Sequence, residues 1–160
     1  MFPDRFSPRR LRRYLREVDE ALEQAARSRF YISHDLRYCT EPDAIVLTGT
    51  IFCEGGIRIE VTERLRILRE STWLRRKNNP LVELVSYENN AVLLNRGTIF
   101  RYNSPHEDHN QFHHVHRVDV LGGGEKTIDP LGVADVPSLR QLVNEAEEWY
   151  WAHLGTGPCA

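Results

Sequence analysis

The chain has 160 residues, 41% of them hydrophobic and 28% charged, with a formal net charge of −2. That length is enough to bury a core without disulfide or metal staples, so residues 1–160 are read as one domain. The balance excludes a generally basic, nucleic-acid-coating protein, although local charge can still recruit a polyanion. Cys39, Cys53 and Cys159 are odd in number, far apart and never in a CxxC pair. They argue against a disulfide scaffold or a cysteine zinc site and for a reducing, cytoplasmic setting. No apolar run approaches the roughly 18 residues of a membrane span, and the start MFPDRFSPRR lacks the apolar stretch of a secretion signal, so no membrane partner is expected.

Ser7-Pro8 has the form of a helix start, a hydroxyl cap followed by proline at the first helical position. Leu11, Tyr14, Leu15, Val18, Ala21, Leu22 and Ala25 then recur at helical spacing, predicting an amphipathic helix over 8–27. Strand patterns follow over 30–121. Phe30, Ile32, His34, Leu36 and Tyr38 alternate, and residues 44–53 are rich in β-branched side chains. Glu54-Gly55-Gly56 can turn a hairpin. Ile57, Ile59, Val61, Glu63, Leu65 and Ile67 then share one strand face, with Arg58, Glu60, Thr62, Arg64 and Arg66 on the other. Residues 69–80 read as a basic loop, strands resume over 82–94 and 98–102, and 103–112 is a polar loop. A last strand covers 114–121 and stops at Gly122-Gly123-Gly124. Ser138 opens a C-terminal helix over 138–153, with Leu139, Leu142, Val143, Ala146, Trp149 and Tyr150 as its apolar face, and 155–160 is a frayed tail. Strands grouped between terminal helices indicate an α+β fold: an antiparallel sheet of five or more strands with N-terminal and C-terminal helices packed on it.

Five of the seven histidines fall between residues 106 and 116: His106, His109, His113, His114 and His116. Histidine exchanges protons near neutral pH and is the commonest metal ligand. In a strand, His114 and His116 share a face and can act as acid and base on one substrate or chelate one metal. Either role wants an orienting carboxylate or carbonyl, which Glu63 or Asp108 would have to supply. A solvated polar loop with an incidental histidine run is the structural alternative. Arg101, at a strand end before this loop, can fork two hydrogen bonds to a phosphate, and neighbouring Tyr102 can stack or donate. Glu63 is a lone carboxylate on an apolar face, so it is paired or has a raised pKa. The catalytic candidates are therefore His106, His114, His116, Arg101, Tyr102 and Glu63. Arg9, Arg12, Arg13 and Arg16 of the first helix, with His109 and His113, are candidates to hold a polyanionic substrate. For the arginines, the alternative is a solvated face with i,i+4 pairs such as Arg16 with Glu20. His114-Val115-His116 is an HxH element, but the second half of a cupin metal motif is absent.

The stretch Val82 to Val118 resembles the TumE-like toxin components of bacterial type II toxin–antitoxin systems. The resemblance rests on Ile99-Phe100-Arg101-Tyr102-Asn103-Ser104-Pro105-His106 and on Phe112-His113-His114-Val115-His116. These match an Arg-Tyr-Asp-Asn strand end, a Pro-His pair and a Phe-Pro-His-His-x-His element. Ser86-Tyr87 resembles the Tyr-Ser-Tyr strand of that family, and Glu63 stands where a strand glutamate does. Asn103 and Ser104 replace the usual Asp-Asn, and the proline before His113 is missing. The resemblance implies an intracellular toxin acting on RNA and neutralised by an antitoxin protein encoded nearby, with no cofactor. Homodimerisation is compatible with it. Joined to the residue reading, the expected activity is metal-independent ribonuclease cleavage. One histidine takes the 2′-hydroxyl proton, a second protonates the leaving oxygen, and Arg101 holds the phosphate. The alternatives are a metal-dependent hydrolase or nuclease at His114, His116 and a loop histidine, and a non-enzymatic protein- or nucleic-acid-binding module.

Overall fold

The computed structural model describes residues 5–68, 79–105 and 112–155. Within them the chain runs β1 (Arg9–Arg10), α1 (Leu11–Ala25), β2 (Tyr31–His34), β3 (Arg37–Thr40), β4 (Ala44–Cys53), β5 (Ile57–Ile67), β6 (Leu81–Leu93), β7 (Gly97–Asn103), β8 (His113–Val118), β9 (Lys126–Leu131) and α2 (Leu139–His153). Among the described residues nine strands make one sheet, ordered β2-β4-β5-β6-β7-β8-β9, with β3 also on β4 and β1 on β6. Every pairing is antiparallel. The fold is thus α+β, a multi-strand antiparallel sheet with two helices. Among the described residues no helix is long and apolar enough to cross a membrane. Cys39 and Cys53 are free thiols; Cys159 lies outside the described residues.

The sheet is apolar on one face because its strands alternate. In β5, Ile57, Ile59, Val61, Glu63 and Leu65 are buried while Arg58, Glu60, Thr62 and Arg66 are exposed. On the apolar face sit both helices. α1 buries Tyr14, Val18, Ala21 and Ala25, and α2 buries Leu139, Leu142, Val143 and Ala146. With Phe30, Leu47, Ile51 and Phe100 they form a hydrophobic core between helices and sheet.

Helix α1 starts later than its sequence predicts. Ser7 and Pro8 do not cap it, because Arg9 and Arg10 pair with Val82 and Leu81 of β6 first. The N-cap, Arg10, makes no side-chain cap bond. The open N–H groups are met instead from the segment just before β6. Leu11 N donates to Pro80 O and Arg12 N to Asn79 Oδ1, both at 2.9 Å. Helix α2 does start as expected, with Ser138 and Gln141 in a reciprocal capping box.

The alternation over 30–38 covers two strands rather than one. The chain bends at Asp35, whose Oδ1 accepts from Thr50 N at 2.6 Å. Gly49 stands opposite at φ +143°, and a Cβ there would lie 2.8 Å from Asp35 O, so the close approach requires glycine. Strand β9 was not expected. It is an exposed edge containing Pro130, a residue that a ladder tolerates only where one side is unpaired.

Candidate active site

Strand register sorts the predicted site residues onto opposite faces of the sheet. Across β7 and β8, Arg101 pairs with His116 and Asn103 with His114. Opposed residues in an antiparallel pair share a face, so these four side chains stand together on the face away from the helices. The row through Arg101 runs Glu60, Asn90, Arg101, His116 and Ile128, and the row beside it runs Thr62, Glu88, Asn103, His114 and Pro130. The imidazoles of His114 and His116 meet edge to face with centroids 4.9 Å apart. His114 Nδ1 lies 2.9 Å from the carbonyl oxygen of Phe112. A carbonyl only accepts, so Nδ1 carries the proton in this contact. For His114 Nδ1 the orienting group is a backbone carbonyl and not Glu63, whose partners lie elsewhere; Asp108 lies outside the described residues. His114 is 1% exposed and His116 8%, while Arg101 is half-buried.

Tyr102 and Glu63 lie on the other face, under the helices. The Tyr102 hydroxyl donates to Glu145 Oε2 of α2 at 2.7 Å and accepts from Arg117 at 2.9 Å, and Arg117 also pairs with Glu145. Burial, then the Glu145 hydrogen bond and charge, push the Tyr102 pKa up, so this hydroxyl stays protonated. His113 is on this face too. Its Nδ1 is 3.0 Å from the Tyr87 hydroxyl, and its ring packs on Tyr87 and Phe6. Burial, with the neighbouring His114, lowers its pKa.

Glu63 is paired, one of the two alternatives its sequence position offers, but its partners are neither Arg101 nor a described histidine. Its Oε1 accepts from Arg5 at 2.7 Å and Asn89 Nδ2 at 3.2 Å, and its Oε2 from the Tyr14 hydroxyl at 2.6 Å. Burial alone would raise its pKa, but the Arg5 charge and the bonds from Tyr14, Arg5 and Asn89 outweigh that and lower it. The same carboxylate, after burial, holds the Tyr14 pKa well up. Glu63 is an ionised anchor with both oxygens occupied. Beside it a cleft of about 840 Å³ opens between α1 and the start of α2, walled by Arg5, Tyr14, Val18, Leu84 and Leu139.

The first-helix arginines are also apart from the histidine face. Arg9 pairs with Glu17 at 2.5 Å, and Arg13 pairs with Glu17 at 3.2 Å as an i,i+4 bridge. Arg12 and Arg16 are exposed on α1, across the sheet from Arg101. His106 and His109 lie outside the described residues. Among the described residues no group of three or more His, Cys, Asp or Glu is arranged to hold a metal ion.

Sequence reasoning missed Arg5, Tyr14 and Asn89 as partners of Glu63, and Asn90 and Asn103 as neighbours of the histidines. For the asparagines a signal existed, since alternation puts Asn103 on the face of Arg101. No signal existed for Arg5, which reaches Glu63 from 58 residues away. No family description, curated protein or solved structure matches the chain.

Proposed function

We propose that this chain is the ribonuclease toxin of a toxin–antitoxin pair, cleaving RNA without a metal at the Arg101, His114 and His116 face. The carrying observation is the β7–β8 register, which sets Arg101 opposite His116 and Asn103 opposite His114. This juxtaposes a phosphate-binding guanidinium with two imidazoles, the equipment that 2′-hydroxyl attack requires. One imidazole of the pair removes the 2′-hydroxyl proton, and the 2′-oxygen attacks the adjacent phosphorus. A second imidazole, the other of the pair or His106, gives a proton to the departing 5′-oxygen. Arg101 offsets the charge that builds on the phosphate oxygens. Arg101 is half-buried and His116 is 8% exposed. His114, 1% exposed, has its Nδ1 held by the Phe112 carbonyl. The resemblance of 99–106 and 112–116 to TumE-like toxins supports the same reading and adds the partner, an antitoxin protein encoded nearby.

The test is cleavage of single-stranded RNA by the purified chain in EDTA. Cleavage that persists, and that falls at least about 10²-fold in His116→Ala, supports the reading. Activity lost to chelator and restored by zinc or manganese would favour a metal-dependent nuclease. Absence of any product, with growth unaffected by expression of the chain, would leave a binding module.

A further inference from the structure

The arginines that β5 presents on the face away from the helices are held differently. Arg64 pairs with Glu41 at 2.5 Å and Arg66 pairs with Glu83, so each of those charges is met by a carboxylate. Arg58 has no carboxylate partner among the described residues. Its Cζ lies instead over the ring of Phe52, 5.6 Å from the centroid. Phe52 is opposite Arg58 across β4 and β5 and therefore shares its face. Arg58 is exposed and Phe52 half-buried. A guanidinium resting on an aromatic ring keeps its charge, its N–H donors and a second planar face toward solvent.

The row through Arg58 runs Ser33, Phe52, Arg58, Val92 and Thr98, and it lies beside the row that holds Arg101 and His116. Two strand spacings and one side-chain row put the Arg58 and Arg101 backbones about 12 Å apart. Arg58 leans onto β4, away from β7, so the two guanidiniums do not meet on one phosphate. We propose that Arg58 and Phe52 form a stacking subsite for an unpaired base of single-stranded RNA, in a nucleotide flanking the one whose phosphate sits at Arg101. Bases stack on aromatic rings and on guanidinium planes alike. Here the base lies on the outer face of the Arg58 guanidinium, with Phe52 behind it. Charge sets the path of the strand. Glu60 and Glu88 stand in the rows of Arg101 and Asn103 and repel a phosphate backbone, whereas Val92 and Thr98 carry no charge. The backbone therefore runs from Arg101 past Thr98 and Val92 to Arg58. Every base has a stacking face, so the subsite asks for a single strand and not for a sequence. The flanking position rests on the ribonuclease reading. The stacking does not, because it needs only an unpaired base.

Two measurements on the intact chain test this. The first is fluorescence anisotropy with a single-stranded 2′-O-methyl RNA oligonucleotide, which has no free 2′-hydroxyl to attack. The second is cleavage of the unmodified strand. Arg58→Ala, at an exposed position, should weaken binding about 10-fold, the worth of one stacked base. Arg58→Lys keeps the charge but not the plane and should weaken it nearly as much. Arg64→Ala removes a paired arginine from the same strand face and should change affinity less than about twofold. Full affinity in Arg58→Lys would make Arg58 a phosphate contact and overturn the stacking subsite. Binding that depends on the Arg58 plane without any cleavage would sustain the subsite and sink the ribonuclease. Cleavage together with affinity indifferent to Arg58→Ala would overturn the subsite and leave the ribonuclease reading intact. Absence of binding by the wild-type chain would overturn the subsite outright.

Discussion

Tyr14 of α1 donates a 2.6 Å hydrogen bond to Glu63 in β5, and Arg5 meets the same carboxylate at 2.7 Å. Helix and sheet are thereby joined through a charge that is 1% exposed. Such a carboxylate is tolerable only while its partners stay in place.

Removing one partner should therefore cost far more than a surface substitution. Glu63→Gln leaves Arg5 with an unbalanced buried charge and should destabilise by about 3–5 kcal/mol. Tyr14→Phe removes one hydrogen bond to a charged acceptor and should cost about 1.5–3 kcal/mol. Urea unfolding followed by tryptophan fluorescence measures both. A loss under about 1 kcal/mol in Glu63→Gln would show that the ion pair is not a determinant of stability.

Stability should depend on pH at both ends because of this network. The Glu63 pKa is lowered in the folded state, so the folded state releases its proton more readily than the unfolded chain does. Its contribution is present above the ordinary carboxylate range, near pH 4.3, and is lost as pH falls through the lower folded value. The Tyr14 pKa is raised, so its contribution is present below about pH 10 and is lost as pH rises toward the folded value. Melting temperatures from pH 3 to 11 should trace these two declines. Glu63→Gln should flatten the acid limb and Tyr14→Phe the alkaline one.

The alternation of β5 made its buried face legible, and Glu63 stood out there as a carboxylate among Ile59, Val61 and Leu65. Its partners were not legible, because period-2 patterning says which residues face the core and not which helix residue arrives above them. Arg101 and Tyr102 were grouped as neighbours in sequence, yet adjacent strand residues point to opposite faces, and the sheet separates them. His114 and His116, at i and i+2, were rightly placed together. β9 is not legible in the sequence, because an exposed edge strand needs no apolar alternation, and Lys126, Asp129 and Pro130 have the composition of a loop. The start of α1 differs from the sequence expectation because Ser7-Pro8 satisfies the local rule for a cap, while pairing of Arg9 and Arg10 with β6 is a long-range contact.

Capping from a distance gives a prediction specific to this fold. Asn79 Oδ1 accepts from Arg12 N at 2.9 Å, taking the role that a residue just before a helix usually fills. Asn79→Ala should destabilise by about 1 kcal/mol, comparable to Ser138→Ala at the capping box of α2. Equal midpoints for wild type and Asn79→Ala in urea would mean that water replaces the asparagine without loss.

The two faces of the sheet make the sharpest separation between structure and chemistry. Tyr102 and Arg101 are consecutive, but Tyr102 is tied to Glu145 and Arg117 under α2, while Arg101 stands opposite His116. If cleavage occurs on the histidine face, Arg101→Ala should lower its rate by about 10²–10³-fold, because the guanidinium faces developing phosphate charge. Its urea midpoint, measured alongside, separates a loss of rate from a loss of fold. Tyr102→Phe should do the reverse: it deletes a hydrogen bond to Glu145 worth about 1.5–3 kcal/mol and leaves the cleavage rate within about threefold below the melting transition. Rates for both variants, measured on one RNA substrate beside their urea midpoints, decide the matter. A Tyr102→Phe variant that is stable but lacks cleavage shown by the wild type would move the chemistry to the helix-covered face.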